Sequence, residues 1–227
     1  MSLVSTKWLF NNRENVKIVD CSWHLPNEKR NSLEEYNSEH IPNAVYFDID
    51  KNSDQNSDLP HMLPSKKQWE ETVSSLGISN DDKIIIYDNS DLISSCRLWY
   101  SFLYFGHNKE LVYILNGGLE KWNKEKLVTT NIKTDLVKTK YSAIENKEMV
   151  KNLDEINDNI EEKIFKLVDA RSIDRFEGRI AEPRQGLRSG SIKNSICLPF
   201  KEVINKDKTF KSLEPVSYTH LTLPTKA

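Results

Sequence analysis

The sequence predicts an α/β protein built from two copies of one unit, each around a mainly parallel sheet, with the second copy incomplete. Three observations lead there. Short β-branched runs are apolar throughout, as strands buried on both faces must be. Helical patterns with readable caps alternate with them, the order expected of βα units. The chain also repeats itself: IVDCS (Ile18 to Ser22) matches LVDARS (Leu167 to Ser172), and HIPNAVYF (His40 to Phe47) matches SIKNSICL (Ser191 to Leu198). The offsets are 169 − 20 = 149 and 194 − 43 = 151 residues, close enough to mark one duplicated unit.

Taken in order, the expected strands are Val16 to Cys21, Ala44 to Phe47, Lys83 to Tyr87 and Leu111 to Leu115. Ser65 can cap a helix over SKKQWEETVSSLG, with Gly77 just past its end. Ser94 or Ser95 can cap SSCRLWYSFLYFGH, which stops near Gly106, and Gly117–Gly118 lead into a short helix through Leu119 and Trp122. The tract Asp50 to Asp58 reads as a solvated loop with no chemistry assigned. Residues 128–149 are polar and lack helical periodicity, so they read as an interdomain connection. A helix over Val150 to Glu161 and a buried strand over Lys163 to Asp169 then reopen the pattern. This divides the chain into a first unit (7–127), a linker (128–149), a second unit (150–214) and a tail (215–227).

The totals exclude several classes. A net charge of −2 and a pI near 6.2 offer no basic surface for nucleic acid. No apolar run reaches membrane-spanning length, and MSLVSTKWLFNNRENVK has neither the basic start nor the apolar core of a secretory signal. Three widely spaced cysteines, Cys21, Cys96 and Cys197, suit a reducing, cytoplasmic setting without a disulfide framework. No cysteine or histidine cluster suggests a metal, and no cofactor is expected.

The repeat also indicates where chemistry belongs. In open parallel sheets ligands sit at the carboxyl ends of strands, often beside a helix N-terminus. In the first copy that point is Asp88, at the end of IIIYD; its equivalent, 88 + 151 = 239, exceeds the 227 residues of the chain.

These residues resemble the tandem-domain rhodanese-like sulfurtransferases, especially the 3-mercaptopyruvate sulfurtransferases. The resemblance runs from Val4 to about Leu213. Its first part is carried by VSTKWL, IVDCSWHLP, EEYNSEHIPNAVYFDID, LPHMLPS, RLWYSFLYFGH and LNGGLEKW. VDARSIDRFEGRIAEPRQGLRSGSIKNSICLPF carries the second. It implies a sulfur relay: a cysteine thiolate in a six-residue loop of the second domain takes sulfur from a small anionic donor, and a thiol acceptor such as thioredoxin, or cyanide, then removes it. It also implies that Arg175 and Arg184 bind the donor carboxylate, for which a guanidinium fork is suited. Asp88 stands where the second domain carries its cysteine. Ser191 and Lys193 occupy an element that usually keeps a histidine. The expected CGSGVTA-like loop does not occur, and PVSYTHLTLPTKA does not continue the family pattern. The nucleophile is therefore expected beyond the C-terminus, and the chain as given is expected to be inactive.

Plainer readings stand beside these. His40 and Arg188 are candidates for the substrate cleft. Against that, His40 can fix a turn, and Arg171 and Arg188 can pair with Asp169, Asp174 or Glu177. Arg175 and Arg184 can pair with Glu177 or Glu182. Cys21, Cys96 and Cys197 read as packing residues, His61 as a loop contact and Arg97 as structural. Two alternative functions remain: a thiosulfate sulfurtransferase, and a non-catalytic rhodanese-like binding module.

Overall fold

The computed structural model describes residues 2–91, 93–182 and 186–212. The chain divides into two compact units, Met1–Met149 and Val150–Ala227.

In unit 1 the runs predicted as strands pair in parallel. The elements are β1 (Leu3–Val4), α1 (Thr6–Asn12), β2 (Lys17–Asp20), α2 (Ser32–Ser38), β3 (Ala44–Tyr46), α3 (Lys66–Ser75), β4 (Ile84–Tyr87), α4 (Ser95–Tyr104), β5 (Val112–Leu115) and α5 (Gly118–Lys124). The sheet runs β1-β5-β4-β2-β3. Its alternation explains why the strands are apolar throughout. Ile84 and Ile86 point into a core with Trp69 and Val73 of α3 and Leu98 and Phe102 of α4. Ile85 and Tyr87 point the other way, towards Leu9 of α1, Tyr36 of α2 and Leu119 and Trp122 of α5. The two-residue β1 and the helix α2, capped by Asn31, were not anticipated.

Caps explain the helix ends. Ser65 Oγ accepts from Gln68 N at the start of α3, and Gly77 follows its end at φ +71°. Gly106 follows α4 at φ +81°, where an added Cβ would lie 2.7 Å from Ile144 O. Only glycine fits both the backbone angle and that close approach.

Residues 128–149 do not form an interdomain connection, as the sequence reading had it. They are a strap laid over unit 1. Thr130 and His40 exchange two backbone hydrogen bonds, at 2.8 and 2.9 Å. Thr134 Oγ1 donates to Ala44 O on the edge strand β3 at 2.7 Å. Thr139 N donates to Ser74 O, and Ile144 N to Phe105 O, both at 3.0 Å. Tyr141 and Ala143 are buried in the core. The segment carries no period because it is anchored by individual contacts instead of by a helix or a ladder.

Unit 2 contains α6 (Leu153–Glu162), β6 (Val168–Asp169), α7 (Ile173–Phe176) and β7 (Ile196–Cys197). A capping box between Asn152 and Glu155 starts α6. The strand expected over Lys163 to Asp169 shrinks to its last two residues. Asn159 takes up the backbone of Phe165 instead, accepting from its N–H at 2.8 Å and donating to its carbonyl at 3.0 Å. Among the described residues this sheet has two strands, β6 and β7, in parallel.

The two copies match in register. Val19 pairs with Val45 and Asp20 with Tyr46; Val168 pairs with Ile196 and Asp169 with Cys197. Asn43 and Asn194 both adopt left-handed backbone, at φ 68° and 67°. Phe47 N donates to Asp20 O at 2.8 Å, as Leu198 N does to Asp169 O at 2.9 Å. The tail assigned to 215–227 lies outside the described residues.

Candidate functional site: a strand-end charge ladder in unit 2

At the carboxyl end of β6 the chain turns sharply. Asp169 Oδ1 accepts from Arg171 N at 2.9 Å, an Asx turn that aims Arg171 back over its own strand end. Every nitrogen of the Arg171 guanidinium then donates at least one hydrogen bond. Its Nε and Nη2 donate to Asp169, its Nη1 to Glu182 Oε1 at 2.7 Å, and its Nη2 also to Gly190 O at 2.9 Å. One turn later, on α7, Arg175 donates from Nη2 to Glu182 Oε2 at 2.5 Å and from Nε to Glu182 Oε1 at 3.3 Å. The Glu182 side chain is only 4% exposed. Four charges thus alternate in sign: Asp169, Arg171, Glu182, Arg175. Arg171 holds the Asp169 carboxyl below the usual range, and Arg175 does the same for Glu182.

Of the residues singled out from the sequence, Arg175 pairs with Glu182, one of the two partners the plainer reading offered it, while the other, Glu177, pairs with Arg179. Arg184 lies outside the described residues. Arg188 is exposed, and among the described residues it forms none of the ion pairs considered for it. His40 is not a cleft residue. It is 0% exposed, stacks on Tyr36 at 4.1 Å, and its ring nitrogens lie 2.6 Å from Tyr36 O and 3.2 Å from Ile132 O. Its job is to tie α2 to the strap.

The corresponding strand end of unit 1 is built differently. Asp20 is buried without an arginine; it accepts from Ser22 N at 2.8 Å and hydrogen-bonds Tyr87. Burial pushes its carboxyl up to about 6, the opposite of Asp169 at the same repeat position. Asp88 follows β4 and accepts from Ser90 N at 2.9 Å and Ser95 N at 2.8 Å. It therefore serves as the side-chain cap of α4. Of the two serines expected to cap the helix, Ser94 donates its hydroxyl to Cys21 O at 2.6 Å instead, and Ser95 gives its backbone N–H to Asp88. Gly118 packs so tightly on Asp88 that a Cβ would meet Asp88 O at 2.5 Å.

None of the three cysteines is prepared as a nucleophile. Burial pushes the Cys21 thiol well above its ordinary value and Cys96 up to about 12, with Asp88 adding to both; burial also raises Cys197, beside Asp169.

One cluster escaped the sequence reading. Asp50, in the tract with no assigned chemistry, accepts from Trp23 Nε1 at 2.9 Å and faces His61 Nε2 at 2.7 Å. Trp23 and His61 meet edge to face at 4.8 Å, and Arg97 donates to His61 O. A carboxylate that fixes an imidazole can serve acid–base chemistry. The pair is separated by eleven residues in a loop, so no periodicity could announce it. Among the described residues no group of side chains could hold a metal ion.

A parallel sheet with helices on both faces in unit 1, and a parallel strand pair in the matching register in unit 2, define an α/β tandem-repeat protein. The rhodanese-like domain family matches over residues 5–125. A thiosulfate/3-mercaptopyruvate sulfurtransferase from Arabidopsis thaliana, mitochondrial by name, is 37% identical over 93% of this chain and 62% of its own length. The 3-mercaptopyruvate sulfurtransferase of Mus musculus is 34% identical over 95% of this chain and 74% of its own. The crystal structure of SseA from Escherichia coli, of the 3-mercaptopyruvate sulfotransferases, superimposes with a TM-score of 0.87 at 29% identity, covering 100% of this chain and 86% of that one. The chain belongs to the rhodanese-like sulfurtransferase family, and spans 62% of the first Arabidopsis relative's length.

Proposed function

We propose that the protein moves sulfur from 3-mercaptopyruvate to a thiol or to cyanide through a cysteine persulfide, and that the nucleophile is none of Cys21, Cys96 and Cys197. A thiolate attacks the donor sulfur. The donor's C–S bond breaks, its electron pair goes to carbon, and protonation there releases pyruvate. The acceptor thiolate, such as that of thioredoxin, then attacks the outer sulfur of the persulfide and regenerates the cysteine thiolate.

The observation that carries this reading is Arg175. Its Nε/Nη2 edge is held by Glu182, while among the described residues its Nη1 forms no hydrogen bond. A guanidinium has five N–H donors, so the remaining ones suit a carboxylate bidentately. Arg184 is proposed as the second grip. Relatives named for 3-mercaptopyruvate at 34–37% identity support the reading. The runner-up donor is thiosulfate, favoured by relatives named thiosulfate sulfurtransferase in Mus musculus and Bos taurus, each 36% identical over 94% of this chain. A reducing compartment such as the cytoplasm belongs to the proposal, since three free thiols must stay reduced.

The test compares two donors on the protein with a completed second unit. Pyruvate release from 3-mercaptopyruvate should outrun thiocyanate formation from thiosulfate and cyanide. Arg175→Lys should lower the former by about tenfold to a hundredfold, the range for a lost hydrogen bond to a charged group. Faster thiosulfate turnover would shift the assignment to the runner-up.

A further inference from the structure

We propose that Glu182 is the positioning residue for Arg175: its shared carboxylate grips the Nε/Nη2 edge of Arg175, while Arg171 locks it from the other side, so that only the Nη end of the fork is presented to an anionic donor. The inference rests on the carboxylate-binding role proposed for Arg175 and names the group that fixes its orientation.

Arg171, just before the Ser172 cap of α7, and Arg175, on α7, bring two like charges to one carboxylate, where they repel each other. Glu182 bridges them, its Oε1 to Arg171 Nη1 at 2.7 Å and its Oε2 to Arg175 Nη2 at 2.5 Å. A carboxylate held on two sides cannot swing away with one partner. Arg171 is immobilised in turn by Asp169 and by Gly190 O. The loop that returns Glu182 to this point is itself closed. Ser189 Oγ donates to Ile180 O at 3.3 Å, and Gly178 lies so near Gly190 that an added Cβ would meet Gly190 N at 3.3 Å. The order of constraint therefore runs from strand end to fork: β6, Asp169, Arg171, Glu182, Arg175. A free arginine on a four-residue helix would sample many rotamers and lose that entropy on binding. A fork fixed along one edge binds a planar carboxylate with that loss already met.

The test is NMR observation of the Arg175 Nε–H in the 227-residue chain. In the parent it should exchange slowly with solvent. In Glu182→Gln, which keeps the shape and removes the charge, exchange should quicken about tenfold or more. The amide signals of Leu198 and Phe200, which donate to Asp169 O and Ala170 O at 2.9 Å, report whether unit 2 stays folded. If Glu182→Gln loses them, Glu182→Asp is used; its shorter side chain cannot span both arginines, and exchange should again quicken. Unchanged Arg175 Nε–H exchange in a folded variant overturns the proposal. Pyruvate is then titrated as the probe anion. If it leaves the Arg175 signals of the parent unmoved, the carboxylate-binding reading fails, whereas the exchange result still decides the positioning role.

Discussion

Asp20→Asn should stabilise unit 1 by an amount that grows from about pH 4 and is complete above about pH 6. The carboxyl is 2% exposed and has no cationic partner among the contacts that set its state, so burial raises it from 3.8 to about 6. A group raised in the folded state contributes stability that is fully present below its unfolded value and is lost as pH rises through the folded one. Between about pH 4 and pH 6 the parent should therefore lose stability from this residue. The shift of roughly 2 units, at about 1.4 kcal/mol each, sets the loss on the order of 3 kcal/mol. Asparagine keeps the acceptor for Ser22 N–H and can also hydrogen-bond Tyr87, but cannot ionise. The assay is thermal unfolding of both proteins from pH 4 to pH 8. The two should coincide near pH 4. At pH 7.5 the variant should melt on the order of 6–12 °C higher, at roughly 2–4 °C per kcal/mol for a unit of this size. A difference that does not change between pH 4 and pH 7.5 would refute the reasoning, because buried charge could not then be its cause.

Asp169→Asn should do the reverse in unit 2. Arg171 lowers this carboxyl, so its stabilisation is present above the unfolded value and disappears as pH falls through the folded one; hydrogen exchange of Leu198 N–H should quicken in the variant at pH 7 and converge with the parent in acid. Trp69→Ala removes a ring that is 1% exposed and stacked on Phe105 at 4.6 Å, and urea unfolding should show a loss of about 3–5 kcal/mol. Gly106→Ala forces a Cβ against Ile144 O at a left-handed position, costing about 1 kcal/mol or more and releasing the Ile144 and Asn146 amides of the strap to faster exchange. Alkylation by iodoacetamide at pH 7.5, followed by mass spectrometry, should be slow at all three thiols in the folded chain and slowest at Cys21.

The fold was legible where burial on two faces imposed composition. Ile84, Ile85 and Ile86 had to read as a strand, and Ser65 and Gly77 had to bound a helix, because backbone geometry leaves few other uses for those residues there. The strap was not legible, since its order comes from isolated contacts such as Thr139 to Ser74 and Ile144 to Phe105, which have no period. The strand over Lys163 to Asp169 was overestimated because the Asn159 side chain claims the Phe165 backbone, a tertiary choice that no local pattern records. At the site, Arg175 stood out by resemblance and its pairing with Glu182 by proximity in sequence. That one carboxylate serves two arginines, or that Asp50 meets His61 across a loop, depends on side-chain directions that only the folded chain displays. For His40 the sequence leaves a cleft role and a turn-fixing role both open; the folded chain sets both ring nitrogens against backbone carbonyls in the interior, away from any cleft.

The measurement that tests the sulfur relay most directly is the mass of each cysteine peptide after exposure to 3-mercaptopyruvate without an acceptor. The 227-residue chain should gain no sulfur on Cys21, Cys96 or Cys197, because burial raises all three thiols and neither Arg97 near Cys21 nor Arg171 near Cys197 offsets it. The protein with a completed second unit should gain one sulfur atom on a cysteine outside that set, and should lose it when a thiol is added. A sulfur atom on Cys96, removed by thiol and absent from Cys96→Ser, would contradict the account by placing the nucleophile in unit 1.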